Sequence, residues 1–168
     1  MTNVELYGEA YASYVWVYLS HFSLYGVAGV PHNRAPNVTA AHPSVDVLWP
    51  PDNKYVDVSI LGVTDPDGDE VTITIMAVTS DESPVLERGS GGKTHDPNAL
   101  GVGTDTASLR AERSGVGNGR VYVVHFLASD GKEGETEVFV VVQMPHDVKK
   151  GIVECVDDGQ LYDATLAD

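Results

Sequence analysis

The stretch "VTDPDGDEVTITI", Val63–Ile75, carries two patterns side by side. Its first half places Asp65, Asp67 and Asp69 at alternate positions, with Pro and Gly between them. Its second half alternates apolar and polar residues with a period of two, which is typical of a half-buried β-strand. Clusters of Asp, Pro and Gly are typical of turns. The stretch therefore predicts a strand that begins directly after an acidic turn.

Further runs in the chain show the same alternation and are bounded by turn residues. They are "YVDVSIL", "RVYVVHFLASD", "TEVFVVVQ" and the shorter "TASLRAE". Helical periodicity is nearly absent, so the sequence predicts an all-β fold. Several short strands with turn-rich spacing favour an antiparallel β-sandwich of immunoglobulin-like type with about seven strands. Tyr122, near the start of the penultimate strand, is a candidate tyrosine corner.

Composition divides the chain into three sections. Residues 1–30 are aromatic and strand-like, residues 31–147 contain the predicted sandwich, and residues 148–168 form an acidic C-terminal tail. One long connection, Thr79–Asp105, interrupts the strand pattern and carries Asp81, Glu82, Asp96 and Asp105. A loop of this length is usually functional, mobile or locally structured, and between these and a solvated, Gly-rich excursion we favour the excursion.

The N-terminal section contains "YASYVWVYLSHFSLY", in which Tyr, Trp and Phe alternate with Val and Leu. A strand that is apolar on both sides requires burial on both sides. It is interpreted as the end of a preceding domain, as a strand that adds to this sandwich, or as a strand donated to a neighbour's open sheet edge. Glu5 and Glu9 precede the apolar part and no basic region does, so the start does not resemble a signal peptide.

The net charge of the chain limits the classes of molecule that it can bind. The chain has 25 Asp and Glu against 10 Lys and Arg, a formal net charge of −15. Such a chain repels nucleic-acid phosphates and anionic membrane surfaces, and it contains no run of about 18 apolar residues that could span a membrane. The excess of carboxylates suits a divalent cation or a salty exterior. Cys155 is the single cysteine and has acidic flanks, so we expect no internal disulfide and an unreactive thiol.

The acidic turn does not have the pattern of an EF-hand. Counted from Asp65, position 6 is Glu70 instead of Gly, and position 12 is Met76 instead of Glu. A shorter acidic loop can still bind calcium, which takes six to eight oxygen ligands, if other segments converge on it.

The sandwich topology supplies such segments. The turn after the second strand lies beside the turn between the last two strands and beside the incoming chain. We therefore expect one pole of the sandwich to gather the side chains of Asn33, Asp65, Asp67, Asp69 and Asp130. Carboxylates gathered this closely repel one another unless a cation neutralises them, which predicts a Ca²⁺ site. The alternative, a tight turn with solvated aspartates, stays open.

Three stretches also resemble a known family: "NRAP", "DPDGDEVTITI" and "LRAERSGVGNGRVYVVHFLASDGKEGETEVFVVV". Over residues 33–146 the chain resembles the cadherin-like and hyalin-repeat-like modules of large extracellular proteins, most closely their bacterial surface versions. The resemblance implies an immunoglobulin-like fold with calcium bound between successive domains.

The resemblance also implies roles for individual residues. Asp65 and Asp67 match the D-x-D pair, Asp130 in "ASD" matches the A-x-D aspartate, and Asn33 matches the linker asparagine. Glu112 in "LRAER" resembles the glutamate of the L-D-R-E motif, although its neighbours differ. That glutamate implies a site at the opposite pole, shared with the aspartate of "PHD", Asp147.

No sequence pattern supports an enzyme. The six histidines lack metal-binding spacing, and no nucleophile elbow or phosphate loop is found. We expect a non-enzymatic, extracellular, calcium-binding structural or adhesion module of a larger bacterial surface or secreted protein. Its expected partners are neighbouring domains or identical subunits, which join through sheet edges. The alternatives are a self-assembling filament or surface-layer subunit and, less favoured, a carbohydrate-binding module.

Overall fold

Of the 168 residues, the computed structural model describes four ranges: 32–83, 96–149, 152–153 and 155–166. From Asn33 onward these residues belong to one compact unit. Their regular secondary structure is all β, and none of the described segments is a helix that could cross a membrane. The predicted strand extension at residues 1–30 lies outside the described residues.

The runs of alternating residues all form strands, because each offers one apolar face for burial. In chain order the strands are β1 (His42–Pro43), β2 (Tyr55–Leu61), β3 (Thr72–Ser80), β4 (Ala99–Leu100), β5 (Thr106–Arg110), β6 (Gly119–Ser129), β7 (Glu135–Pro145), β8 (Val148–Lys149), β9 (Ile152–Val153) and β10 (Tyr162–Asp163). The five alternating runs of the sequence correspond to β2, β3, β5, β6 and β7. The five strands of two residues were not predicted, since two residues show no periodicity.

The first sheet has the strand order β1-β2-β5-β4 and is antiparallel throughout. Its longest pairing places Tyr55 opposite Arg110 and Ser59 opposite Thr106. The second sheet has the order β10-β3-β6-β7 and is also antiparallel. A separate two-stranded sheet pairs β8 with β9.

The second sheet is built around the long hairpin of β6 and β7, in which Ser129 lies opposite Glu135 at the turn. The pairing of β3 with β6 shifts between Ile75 and Ala77, so one extra residue, Met76, is accommodated there as a bulge and is exposed.

The two four-stranded sheets share one hydrophobic core, as in a β-sandwich. The first sheet contributes Val58, Ile60, Ala107 and Leu109, and the second contributes Ile75, Val78, Tyr122, Val124, Phe126, Ala128, Val140 and Val142. These are the faces that the alternation predicts for each strand. The prediction of an all-β, antiparallel, sandwich-like architecture is therefore confirmed.

The incoming chain contacts both sheets. Asn37 pairs with Thr64, β1 then pairs with β2, and Val47 pairs in parallel with Gln143 of β7. Because Thr72 of β3 lies opposite Ser129 of β6, the turn before β3 and the turn after β6 lie at the same end of the sandwich. This end is the acidic pole, formed by residues 33–34, 65–69 and 130–134.

Candidate functional site: an acidic pole held by basic side chains

The turn at residues 65–69 is organised by Asp65. Its Oδ1 accepts hydrogen bonds from the backbone N–H groups of Asp67 (2.7 Å) and Asp69 (3.2 Å). Gly68 has a φ of 83°, which a residue with a side chain adopts only with strain. The other oxygen, Asp65 Oδ2, is buried and has no hydrogen-bond partner among the described residues. Asp65 therefore shapes the turn, and one of its oxygens stays available as an acceptor.

Asp67 binds the incoming chain through Arg34. The Arg34 backbone N–H donates to Asp67 Oδ2 (2.8 Å), and its guanidinium donates to Oδ1 from Nε (3.0 Å) and Nη2 (2.8 Å). Nη2 also donates to the carbonyl of Pro66 (2.6 Å). These hydrogen bonds from Arg34, more than the charge attraction, hold the pKa of Asp67 below its usual range. The planar guanidinium fixes the direction as well as the position of the segment.

Asp130 binds Asn33, the residue before Arg34 in the incoming chain. The Asn33 Nδ2 donates to Asp130 Oδ2 (2.7 Å) and to the carbonyl of Lys132 (2.9 Å). Asp130 Oδ1 accepts the backbone N–H groups of Lys132 (2.7 Å) and Gly134 (3.0 Å). Burial alone would raise the pKa of Asp130, but these donors outweigh it and lower the pKa.

Asp69 completes the pole by joining its two turns. The ammonium of Lys132 forms an ion pair with Asp69 Oδ1. Lys132 is thus bonded to the turn at residues 65–69 by its side chain and to Asp130 by its backbone N–H. Each aspartate carboxylate of the acidic pole is therefore bonded to a basic side chain, to N–H donors, or to both.

The structure thus brings together the three segments that the sequence analysis places at this pole: the pair Asn33 and Arg34, the turn with Asp65, and the turn with Asp130. It also shows what that analysis missed. Arg34 and Lys132 supply the positive charge that the prediction assigned to a cation. Both residues lie in stretches that carry the predicted ligands, "NRAP" and "SDGKEG". A prediction based on oxygen ligands alone does not consider basic side chains.

The described residues contain no preformed calcium site. In the described parts of the chain, no three His, Cys, Asp or Glu side chains are grouped so that they could hold a metal. The carboxylates of Asp67 and Asp69 face basic groups and Asp130 faces N–H donors, whereas Asp65 Oδ2 is buried without a hydrogen-bond partner among the described residues. Calcium would require Arg34 and Lys132 to move away. Calcium binding at this pole stays a prediction.

Glu112 and Asp147, the residues predicted for a second site, lie at the opposite end of the sandwich. Glu112 follows β5 and is buried. Asp147 follows β7 and lies 3.7 Å from the Nδ1 of His146. We call this end the far pole, and their shared metal site also stays a prediction.

The far pole contains a buried polar network that the sequence analysis did not predict. Glu82 Oε2 accepts hydrogen bonds from the backbone N–H of Ser114 (2.7 Å) and from Arg120 Nε (3.2 Å). Arg120 Nη1 donates to the hydroxyl of Tyr122 (3.2 Å). Burial alone would lower the pKa of Arg120, but Tyr122 and Glu82 outweigh it and raise the pKa. The expectation that Glu82 is solvated is wrong, because the ion pair with Arg120 compensates its burial.

The C-terminal segment docks at the same pole. Asp81, also expected to be solvated, is buried; its Oδ1 accepts the backbone N–H of Val121 (2.8 Å) and its Oδ2 that of Asp158 (3.5 Å). Burial is the main cause of the raised pKa of Asp81. Cys155 donates its thiol to the carbonyl of Arg120 (3.2 Å), and burial raises its pKa to about 11, in agreement with the expectation of an unreactive thiol.

Comparison of the chain with protein-family models, with curated proteins and with solved structures finds no match.

Proposed function

We propose that the chain is a non-enzymatic structural module of a larger extracellular surface protein, whose acidic pole fixes the segment that precedes it. The observation that carries the proposal is the double attachment of the incoming chain, by Asn33 to Asp130 and by Arg34 to Asp67. Two successive residues held by two different turns have a defined position and direction. A module of this kind orients the segment that precedes it, whereas a flexible linker would leave that orientation free.

The proposed fold type is an immunoglobulin-like sandwich of the cadherin-like kind. Three features support it: the strand order β1-β2-β5-β4 against β3-β6-β7, the parallel bridge of Val47 with Gln143, and the bond of the Tyr122 hydroxyl to the Arg110 carbonyl. Modules with this architecture occur in tandem, and the sequence resemblance over residues 33–146 supports the extracellular assignment.

The mechanism is mechanical. Ion pairs neutralise Asp67 and Asp69, N–H donors stabilise Asp65 and Asp130, and these bonds stiffen the junction, so the module transmits orientation from the preceding segment to the sandwich. Each exposed ion pair contributes little by itself. Three hydrogen bonds from Arg34 to Asp67, two from the guanidinium to Oδ1 and one from the backbone N–H to Oδ2, together with the network of Lys132 favour a single conformation.

Trypsin cleavage after Arg34 tests this proposal. The variant Asp67→Asn keeps the cleavable arginine and loosens it, so cleavage of the Arg34–Ala35 bond should accelerate by about two- to fivefold. The matched control is Asp52→Asn, which removes the partner of Lys54 elsewhere on the surface and should leave cleavage at Arg34 unchanged. Equal cleavage rates in wild type and Asp67→Asn would contradict the proposal.

The same assay separates ion pairs from calcium. With the ion-pair mechanism, the rate of cleavage after Arg34 is the same in EDTA and in millimolar calcium. If calcium holds the pole, EDTA accelerates cleavage in the wild type and added calcium slows it again.

A further inference from the structure

The outer faces of the two sheets differ in character. The first sheet exposes polar residues and, at the ends of two strands, Leu61 and Leu100. On its surface Ser108 donates a hydrogen bond to Asp57. The second sheet places Val121 and Val123 on its outer face, since Tyr122 and Val124 between them point into the core. Both valines are buried, although they lie outside the core cluster. An antiparallel sheet with a solvated face is normally polar there, so this face is a contact surface.

The C-terminal segment covers one end of this outer face. Gln160 donates from Nε2 to the carbonyl of Val121 (3.3 Å), and β10 pairs with the end of β3. The other end is open: the exposed fractions are 47% for Met76, 54% for Phe139 and 38% for Val141. A groove of about 220 Å³ lies there and is lined in part by Met76 and Phe139.

The edge of β7 beside this apolar surface is also open. Gln143 uses its outward N–H and C=O to bond Asp46 and Leu48. Alternate residues of a strand point the same way, so Glu137, Phe139 and Val141 direct their N–H and C=O groups to the same side. In the described parts of the chain these groups have no backbone hydrogen-bond partner. Unpaired main-chain groups in a row bind an extended strand.

We infer that the strand bound there is β7 of a second copy of this chain, antiparallel and centred on Phe139. The free edge contains residues 137–141, and its central residue is the most exposed aromatic of the sheet. In this register Phe139 lies opposite Phe139 of the second copy, and Glu137 lies opposite Val141. The two second sheets then form one continuous sheet of eight strands across a twofold axis.

Self-complementarity is the argument for a second copy. A twofold interface places the same surface on both sides, so it must match itself. Centred on Phe139, the edge places the two Phe139 rings side by side and each Glu137 opposite a Val141, so no carboxylate of Glu135 or Glu137 faces another carboxylate. Each copy carries a net charge of −15, and therefore association strengthens when salt screens the repulsion. The inference does not depend on the acidic pole or on calcium.

Sedimentation of the full-length chain tests the interface. The wild type should form dimers, and the dissociation constant should fall when sodium chloride is raised from about 0.1 M to 0.5 M. Phe139→Lys places two ammonium groups face to face and should weaken the dimer at least tenfold. The control is Leu61→Lys, which changes a residue of similar exposure, 45%, on the first sheet and should leave the dimer intact.

Two outcomes overturn the inference. One is a wild type that stays monomeric at high protein and salt concentration. The other is a dimer that Phe139→Lys leaves intact but Val17→Lys dissolves, since this shows that the N-terminal section supplies the strand.

A cross-link tests the register. Residues whose N–H and C=O groups bond to each other have Cα atoms about 5.5 Å apart, within the range of a disulfide. In a Cys155→Ser background, Phe139→Cys should give a covalent dimer under oxidising conditions, and Leu61→Cys should not. A dimer that forms but does not cross-link through position 139 contradicts the register.

Discussion

The hydroxyl of Tyr122 in the second sheet donates a hydrogen bond of 2.9 Å to the carbonyl of Arg110 in the first sheet. The same hydroxyl accepts a hydrogen bond from Arg120. Tyr122 is completely buried, so one side chain ties both sheets to the ionic network of the far pole. The sandwich is thus closed at one end by a buried network and at the other by a more exposed one, the acidic pole.

Replacement of Tyr122 by Phe should lower the free energy of unfolding by about 1–3 kcal/mol, because two buried hydrogen bonds of the hydroxyl, one to the Arg110 carbonyl and one from Arg120, are lost. Urea unfolding measures the change. Tyr162→Phe, which alters a partly exposed tyrosine of β10, is the control and should change stability by less than about 0.5 kcal/mol. Equal effects of the two variants would show that the inter-sheet bond is unimportant.

Asp130 should stabilise the fold in a pH-dependent way. Its folded pKa is lowered, so its contribution is present above the unfolded pKa of about 3.9 and is lost as the pH falls through the folded value. Asp130→Asn cannot ionise, and in either orientation its NH2 group faces N–H donors, those of Asn33 or those of Lys132 and Gly134. The variant should therefore be less stable than wild type at pH 6, and the difference should shrink below about pH 4. Chemical unfolding at both pH values checks this.

Asp81 should show the opposite dependence. Burial raises its folded pKa, so its stabilising contribution is present below the unfolded pKa of about 3.9 and is lost as the pH rises through the folded value. Relative to Asp81→Asn, the wild type should gain stability as the pH falls from 7 towards 4. Urea unfolding of the wild type and Asp81→Asn across this pH range measures the difference. A constant difference between wild type and Asp81→Asn would contradict the buried, ionisable role.

The strands could be predicted because their side chains alternate. In β6, Tyr122, Val124 and Phe126 point into the core, as the alternation requires. The short strands could not be predicted, since the pairing of Tyr162 with Ser80 depends on the docking of the C-terminal segment. Tertiary contacts decide such strands.

The acidic pole could be predicted in part. Topology brings Asp65 and Asp130 to one end of the sandwich regardless of what neutralises them. The neutralising groups, Arg34 and Lys132, could not be assigned, because their side chains are long and the sequence does not show where they point. The burial of Arg120 could not be predicted for another reason: it lies at the start of an apolar strand, where a basic residue is normally expected to be exposed.

The measurement that tests the central claim most directly is hydrogen exchange at the backbone amide of Arg34, followed by NMR in the full-length chain. This amide donates to Asp67 Oδ2 at 2.8 Å, so it reports the attachment of the incoming chain. The account predicts protection in EDTA that calcium does not increase and that Asp67→Asn abolishes, with Asp52→Asn unchanged. An Arg34 amide that exchanges freely in EDTA, or becomes protected only when calcium is added, would contradict the claim that basic side chains hold the pole.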